Sequence, residues 1–144
     1  MKRFVQIIAL VLVITILLAV SAGAENVDSK ASAYFMSSST YLDKVSSTTF
    51  DACFSVGAYG IMDELGASEI RIQRSADGIT WTTVKTYTSD DYPSMICNNT
   101  GTHGGYVTYS NASSGYYYRA RIDYYAKVGN GTGVYMDYTS SVRY

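Results

Sequence analysis

Tyr116-Tyr117-Tyr118-Arg119-Ala120-Arg121-Ile122-Asp123-Tyr124-Tyr125-Ala126-Lys127-Val128 is the stretch that decides the fold. Apolar groups occupy every even position, while Tyr117, Arg119, Arg121, Asp123, Tyr125 and Lys127 take the odd ones. Strict alternation of this kind suits a half-buried strand and not a helix, whose apolar positions recur every three or four residues. Thirteen residues make a long strand by ordinary standards, so this segment is expected to cross the centre of its sheet.

The same period recurs to both sides. Upstream, Phe50, Ala52, Phe54, Val56 and Ala58 alternate with Asp51, Cys53, Ser55 and Gly57, and Ile70 and Ile72 alternate with Arg71 and Gln73. Ser75-Ala76-Asp77-Gly78 then supplies Asp-Gly turn chemistry, and a Thr-rich strand follows over 79–88. In that strand Trp81 and Val84 have opposite parity, which implies a bulge, an edge position or a two-sided strand. A weak strand is read at 40–45, a loop with a hydrophobic plug at 60–66, a long irregular loop at 88–105 and a short strand at 106–110. Downstream, Val134, Met136, Tyr138 and Val142 share a parity opposite to Tyr135, Asp137, Thr139, Ser141 and Arg143. If both apolar faces meet one core, the connecting turn must be the three-residue loop Asn130-Gly131-Thr132, with Ala126 opposite Met136 and Lys127 opposite Tyr135. Tyr116, Tyr118, Tyr124 and Tyr138 then build the core, and Tyr117, Tyr125 and Tyr135 lie outside. About seven short strands in 144 residues, with a single proline, predict an all-β antiparallel β-sandwich of immunoglobulin-like or fibronectin type III-like form.

Ahead of the domain, Met1-Lys2-Arg3 gives a positive start, Phe4 to Val20 is apolar apart from Gln6 and Thr15, and Ala22-Gly23-Ala24 offers small residues at a cleavage site. This reads as a signal peptide over 1–24, a flexible leader over 25–32 and a β-domain over 33–144. An uncleaved anchor is the alternative, because a 17-residue stretch is at the lower limit for a membrane span. Removing 1–24 takes Lys2 and Arg3 from the 11 basic groups and none of the 12 acidic ones, leaving a net charge of −3. A secreted, extracellular chain with no attraction to nucleic acid, and none to membrane after cleavage, is the expectation. All 15 tyrosines remain in that part.

In an exported chain Cys53 and Cys97 read as one disulfide, which would close a loop of about 44 residues and stabilise by roughly 4 kcal/mol. Two unpaired thiols in an anaerobic setting are the other possibility. No metal or other cofactor is expected. The one histidine, His103, is not at ligand spacing from either cysteine, and Asp77, Asp90, Asp91 and Asp123 lack EF-hand spacing. Gly101 to Gly105 lacks the lysine and the helix of a phosphate-binding loop. A Ser-His-Asp set around His103 with Asp90 or Asp91 has no nucleophile elbow to support it, so no enzyme is expected. Asn98, Asn111 and Asn130 begin glycosylation-type triplets and are read as turn residues.

Tyr118-Arg119-Ala120-Arg121-Ile122 followed by Gly129-Asn130-Gly131 resembles the penultimate strand and turn of fibronectin type III domains. Ile72 to Trp81 is similar to a Ser-x-Asp-Gly-x-x-Trp hairpin found in several extracellular β-domains, discoidin-like binders of carbohydrate and lipid among them. Signal peptide, Trp hairpin and Gly-Tyr-Tyr-Tyr-Arg strand together most resemble an uncharacterised family of small secreted proteins from clostridia and related Gram-positive bacteria. That family brings no established activity. Fewer prolines and a differently placed Trp set the chain apart from fibronectin type III domains and leave its strand order open.

The expected function is a non-catalytic binding module for an extracellular protein or glycan. Its candidate surface is the outer face of the last hairpin, Tyr117, Arg119, Arg121, Tyr125 and Tyr135, because Tyr and Arg dominate binding hot spots and exposed rings stack on sugars. The long 88–105 loop is a second candidate surface. The same pairs would equally serve to hold the sheet together across strands. An antimicrobial or toxin-like effector is the alternative function, followed by a hydrolase using His103.

Overall fold

The computed structural model describes residues 33–144, so the expected signal peptide (1–24) and leader (25–32) lie outside the described residues. Seven antiparallel strands form one connected sheet: β1 Phe35–Lys44, β2 Phe50–Ser75, β3 Thr82–Thr88, β4 Ile96–Tyr109, β5 Tyr117–Val128, β6 Gly131–Tyr138 and β7 Val142–Arg143. A short 3₁₀ turn, Pro93–Met95, leads into β4. The all-β class expected from the period-two pattern is what the chain adopts.

The sheet is organised by β2, whose 26 residues serve two wings. Its first half pairs with β1 on one edge and β4 on the other, the β4 pairing running on to Gly66; its second half pairs with β5 from Glu64 and with β3 from Glu69. Beyond β5 lies β6, with β7 beside the start of β5. Phe50, Ala52, Phe54 and Val56 of the first wing face inward, as do Tyr118, Ala120, Ile122, Tyr124 and Ala126 of the second, all buried. The wings meet through tilted and edge-on rings, Phe50 to Tyr118 at 5.6 Å and Phe54 to Tyr124 at 6.3 Å. Burying each such side chain is worth about 1.5–3 kcal/mol, and well-placed aromatic pairs add to this. The hydroxyl of Tyr124 donates to the Ser39 carbonyl at 3.0 Å, with the Ser55 carbonyl at 3.3 Å, tying β5 to the β1–β2 pair across the core.

Four expectations are corrected. Residues 60–66 are strand, not loop: the register against β4 jumps between Gly57 and Met62, pushing Tyr59 and Ile61 out while Met62 and Leu65 remain buried. A second irregularity at Ser68 lets Leu65 and Ala67 share the inward face with Ile70 and Ile72 despite opposite parity. Most of 88–105 is also strand; only 89–95 is irregular before β4 begins. Its period was hidden because Asn98, Asn99, Gly101, Gly104 and Gly105 carry no apolar signal.

The third correction concerns the last hairpin. Val128 pairs with Gly131 across a two-residue turn, Gly129-Asn130, and Ala126 faces Gly133 instead of Met136. Gly129 has φ +56°, which suits glycine at the first position of a tight hairpin turn. That odd shift of three residues turns β6 over: Val134, Met136 and Tyr138 point outward, and Gly133, Tyr135 and Thr139 inward. The reason lies upstream. Tyr34 lies over Gly131 and Gly133, where any β-carbon at Gly133 would strike its ring, so the entering chain supplies the apolar cover that β6 itself lacks. Tyr135 stacks on Tyr124 at 6.0 Å, and Phe35 closes on Tyr135 at 6.2 Å.

The fourth concerns the cysteines, which are both free. Cys53 stands opposite Tyr106 on β4, and Cys97 is at the far end of the same strand opposite Leu65. Nine residues of strand separate their levels by roughly 30 Å, whereas a disulfide needs α-carbons within about 7 Å.

Candidate functional site

The outer face of the second wing carries most of the residues singled out in the sequence. Register sets Ser75, Gln73, Arg71 and Glu69 of β2 beside Tyr117, Arg119, Arg121 and Asp123 of β5, with Tyr138 of β6 on the far side of Arg121. Trp81, in the turn before β3, leans over the same surface. Of the bulge, edge position or two-sided strand that the parities of Trp81 and Val84 imply, β3 shows the first two: its register slips between Lys85 and Thr83, at Val84, and among the described residues it pairs with β2 alone.

Arg71 and Arg121 are directly opposed, an arrangement that repels on its own. Each is neutralised by the carboxylate two residues along its own strand. Arg71 pairs with Glu69, and Arg121 binds Asp123 through two bonds, Nε to Oδ1 at 2.9 Å and the terminal nitrogen to Oδ2 at 3.1 Å. Lys127 Nζ meets Glu64 Oε1 at 2.7 Å, and that carboxylate pushes the lysine pKa up. These three pairs form a self-contained ladder.

Arg119 differs. Its guanidinium lies 4.3 Å from the Trp81 ring and 4.5 Å from the Tyr138 ring, so it is held between two aromatic faces. Only its Nε is engaged, donating to Gln73 Oε1 at 2.8 Å; among the described residues neither terminal nitrogen has a protein acceptor. Stacking fixes the plane of the fork and leaves its outer edge open, which is the geometry that takes a carboxylate or a pair of carbonyls side-on. Beyond Tyr138 along β6, Met136 (43% exposed) stands opposite Asp123 and Val134 (51%) opposite Tyr125, an apolar row on a strand whose far edge pairs with no other strand among the described residues.

Of the candidate residues, Tyr117, Arg119, Arg121 and Tyr125 share this face, half-buried; Tyr117 packs under Arg143 at 5.4 Å. Tyr135 does not join them, since it is on the inner side against Tyr124. Trp81, Gln73 and Tyr138 were missed. Tyr138 was assigned inward with Val134 and Met136, and the opposite parities of Trp81 and Val84 were the only hint that Trp81 belongs outside.

Among the described residues His103 makes no hydrogen bond to a carboxylate. Its Nε2 donates to the Ser94 carbonyl at 2.9 Å and its ring meets Phe54 edge-on at 5.7 Å, in a cleft of about 500 Å³ beside Gly104 and Tyr106. Asp91 accepts from Thr88 at 3.0 Å instead. Asp77 closes the β2–β3 turn, with Oδ1 taking the amides of Ile79 and Thr80 at 2.8 Å each and the Ser75 hydroxyl at 2.7 Å; the backbone bonds hold its carboxyl well below the usual range. Among the described residues no cluster of three His, Cys, Asp or Glu side chains is placed to hold a metal ion.

No protein-family model matches the chain, and no curated protein does. One solved structure is similar. It is the crystal structure of Spo0M, sporulation control protein, from Bacillus subtilis, at 10% identity and a TM-score of 0.42, covering 71% of this chain and 47% of that one. The chain thus spans about half the length of that protein, at a likeness too low to carry a functional argument.

Proposed function

We propose that this chain is an exported, non-catalytic binding module that docks an extracellular protein through the outer face of β3, β2, β5 and β6. The observation that carries this is Arg119, clamped between Trp81 and Tyr138 with its two terminal nitrogens open to a partner. A guanidinium already fixed in plane loses little freedom on binding, and Arg, Trp and Tyr are the residue types that concentrate binding energy. The exposed Met136 and Val134, which continue along β6 from Tyr138, add apolar area to one side of it, so a protein surface presenting an acidic side chain next to an apolar patch fits better than a sugar. Export rests on the basic start, apolar run and Ala22-Gly23-Ala24 of the first residues, and the resemblance to small secreted proteins of Gram-positive bacteria on these together with the Trp81 hairpin and the Gly115 to Arg119 strand start. Absence of catalysis rests on His103, whose bonded nitrogen faces a backbone carbonyl instead of a carboxylate.

The test is an array of Glu- and Asp-containing peptides with flanking Leu, Phe or Trp, probed with residues 25–144 and with Arg119→Ala. Capture of a subset by the wild type, weakened tenfold or more in Arg119→Ala, is the expected outcome. Equal capture by both proteins, or binding confined to a parallel glycan array, overturns the reading.

A further inference from the structure

The opposite side of the molecule carries an aromatic pair that the reading above does not use. Across β1, β2 and β4 the register aligns Tyr41, Cys53 and Tyr106 in one row, with Tyr41 55% and Tyr106 63% exposed. Two strand spacings separate the tyrosines, roughly 9.5 Å. The half-buried Cys53 thiol between them is a soft, nearly apolar floor. On one side the next row is Ser39, Ser55 and Gly104, all exposed and small, so the surface drops to a hydroxyl-lined shelf. On the other side the row is Asp43, Asp51 and Thr108, where Asp51 Oδ1 accepts from Thr108 Oγ1 at 2.6 Å and its second oxygen has no donor among the described residues.

We propose that this face binds a neutral β-1,4-linked polysaccharide, with Tyr41 and Tyr106 each stacking on a pyranose ring. A sugar ring has an apolar C–H face and a rim of hydroxyls, matched by an exposed ring flanked by hydroxyl and carboxylate acceptors. In a β-1,4 chain successive units are flipped, so one ring face recurs at every second sugar, a repeat close to the two-strand span. Charge selects the neutral class. Residues 50–57 and 102–109 contain no Lys or Arg, and the lysine of β1, Lys44, is laid over Tyr144 at 4.4 Å. Asp43 and Asp51 therefore repel a uronic-acid or phosphate-bearing polymer with no cation to offset them. A second copy of this chain fits poorly, because two rings in a hydroxylated surface lack the apolar centre of a protein interface.

Calorimetric titration of the folded protein with cellohexaose and with chitohexaose tests this, with maltohexaose and an oligogalacturonate as controls. Saturable binding of at least one of the first two is expected, with none for the oligogalacturonate. Tyr41→Ala or Tyr106→Ala should weaken it tenfold or more, while Arg119→Ala leaves it unchanged. Because the substituted rings are exposed, an unaltered urea midpoint separates lost binding from lost folding. No binding at about 10 mM hexaose, equal binding by the tyrosine variants, or a dimer dissolved by those substitutions overturns the proposal. The Arg119→Ala arm keeps its failure distinct from that of the peptide-binding reading.

Discussion

Tyr124→Phe removes one oxygen from the centre of the fold and leaves every ring in place. Tyr124 is fully buried, stacked on Tyr135 and edge-on to Phe54, and its hydroxyl spans to the Ser39 and Ser55 carbonyls. Losing one buried hydrogen bond costs about 1 kcal/mol net, and leaving strand carbonyls less well satisfied costs about 1 kcal/mol more. The sum, about 2 kcal/mol, should lower the urea midpoint by about 1 M for a domain of this size. Tyr124→Ala, which also empties the ring volume, should cost about 4 kcal/mol and approach the whole stability of a small domain.

The same variant changes the response to alkali. Burial raises the Tyr124 pKa above its ordinary value, as it does for Tyr87, Tyr109 and Tyr144. In the unfolded chain tyrosine loses its proton near pH 10, so above that pH the unfolded state binds fewer protons than the folded one. Stability is full below about pH 10 and falls as pH rises toward the folded pKa values. Urea titrations from pH 9 to pH 12 should show that fall flattened by one proton in Tyr124→Phe. A variant within a few tenths of a kcal/mol of wild type at pH 7, or with an unchanged alkaline slope, refutes the cross-core bond.

Both thiols should alkylate without prior reduction, giving a mass shift of two adducts, and reductant should leave the urea midpoint unmoved; one blocked pair would contradict the strand separation between Cys53 and Cys97. Asp77→Ala should lower the urea midpoint at pH 7 by unseating the β2–β3 turn. Because the Asp77 carboxyl is held below its ordinary pKa, its contribution is present above about pH 4 and fades as pH falls, so wild type and variant should converge toward pH 2. Gly129→Ala should cost about 1 kcal/mol at its positive φ, read as a lowered midpoint; no loss there would favour the three-residue loop and turn β6 back over.

Where side chains alternate without interruption, the sequence was readable. β5 keeps its parity over 117–128, and its odd residues do form the outer face, because both neighbours pair with it in long register. The 70–73 segment and the Asp77 turn follow for the same reason. β2 was legible only in pieces. Its two irregularities reset which parity faces inward, and such resets leave no mark in a pattern of apolar residues. β6 misled because its inward cover comes from Tyr34 and Phe35, nearly a hundred residues away in sequence, which frees Val134 and Met136 to face outward. The site inherited both effects. Arg119, Arg121, Tyr117 and Tyr125 were found on strand parity alone, whereas Tyr135 was lost and Tyr138 gained through the turn of a single strand. The Trp81 stack needed a contact between a turn and a strand that no local pattern encodes.

Trp81 is the only tryptophan in the chain, and it lies against the Arg119 guanidinium that the proposed function depends on. Its fluorescence, followed while an acidic peptide selected on the array is titrated in, reads the claim directly. A saturable change in the wild type, retained in Tyr41→Ala and in Tyr106→Ala but absent from Arg119→Ala, is the predicted result. Peptide bound by anisotropy with Trp81 emission unchanged, or with the same affinity in Arg119→Ala, would contradict it.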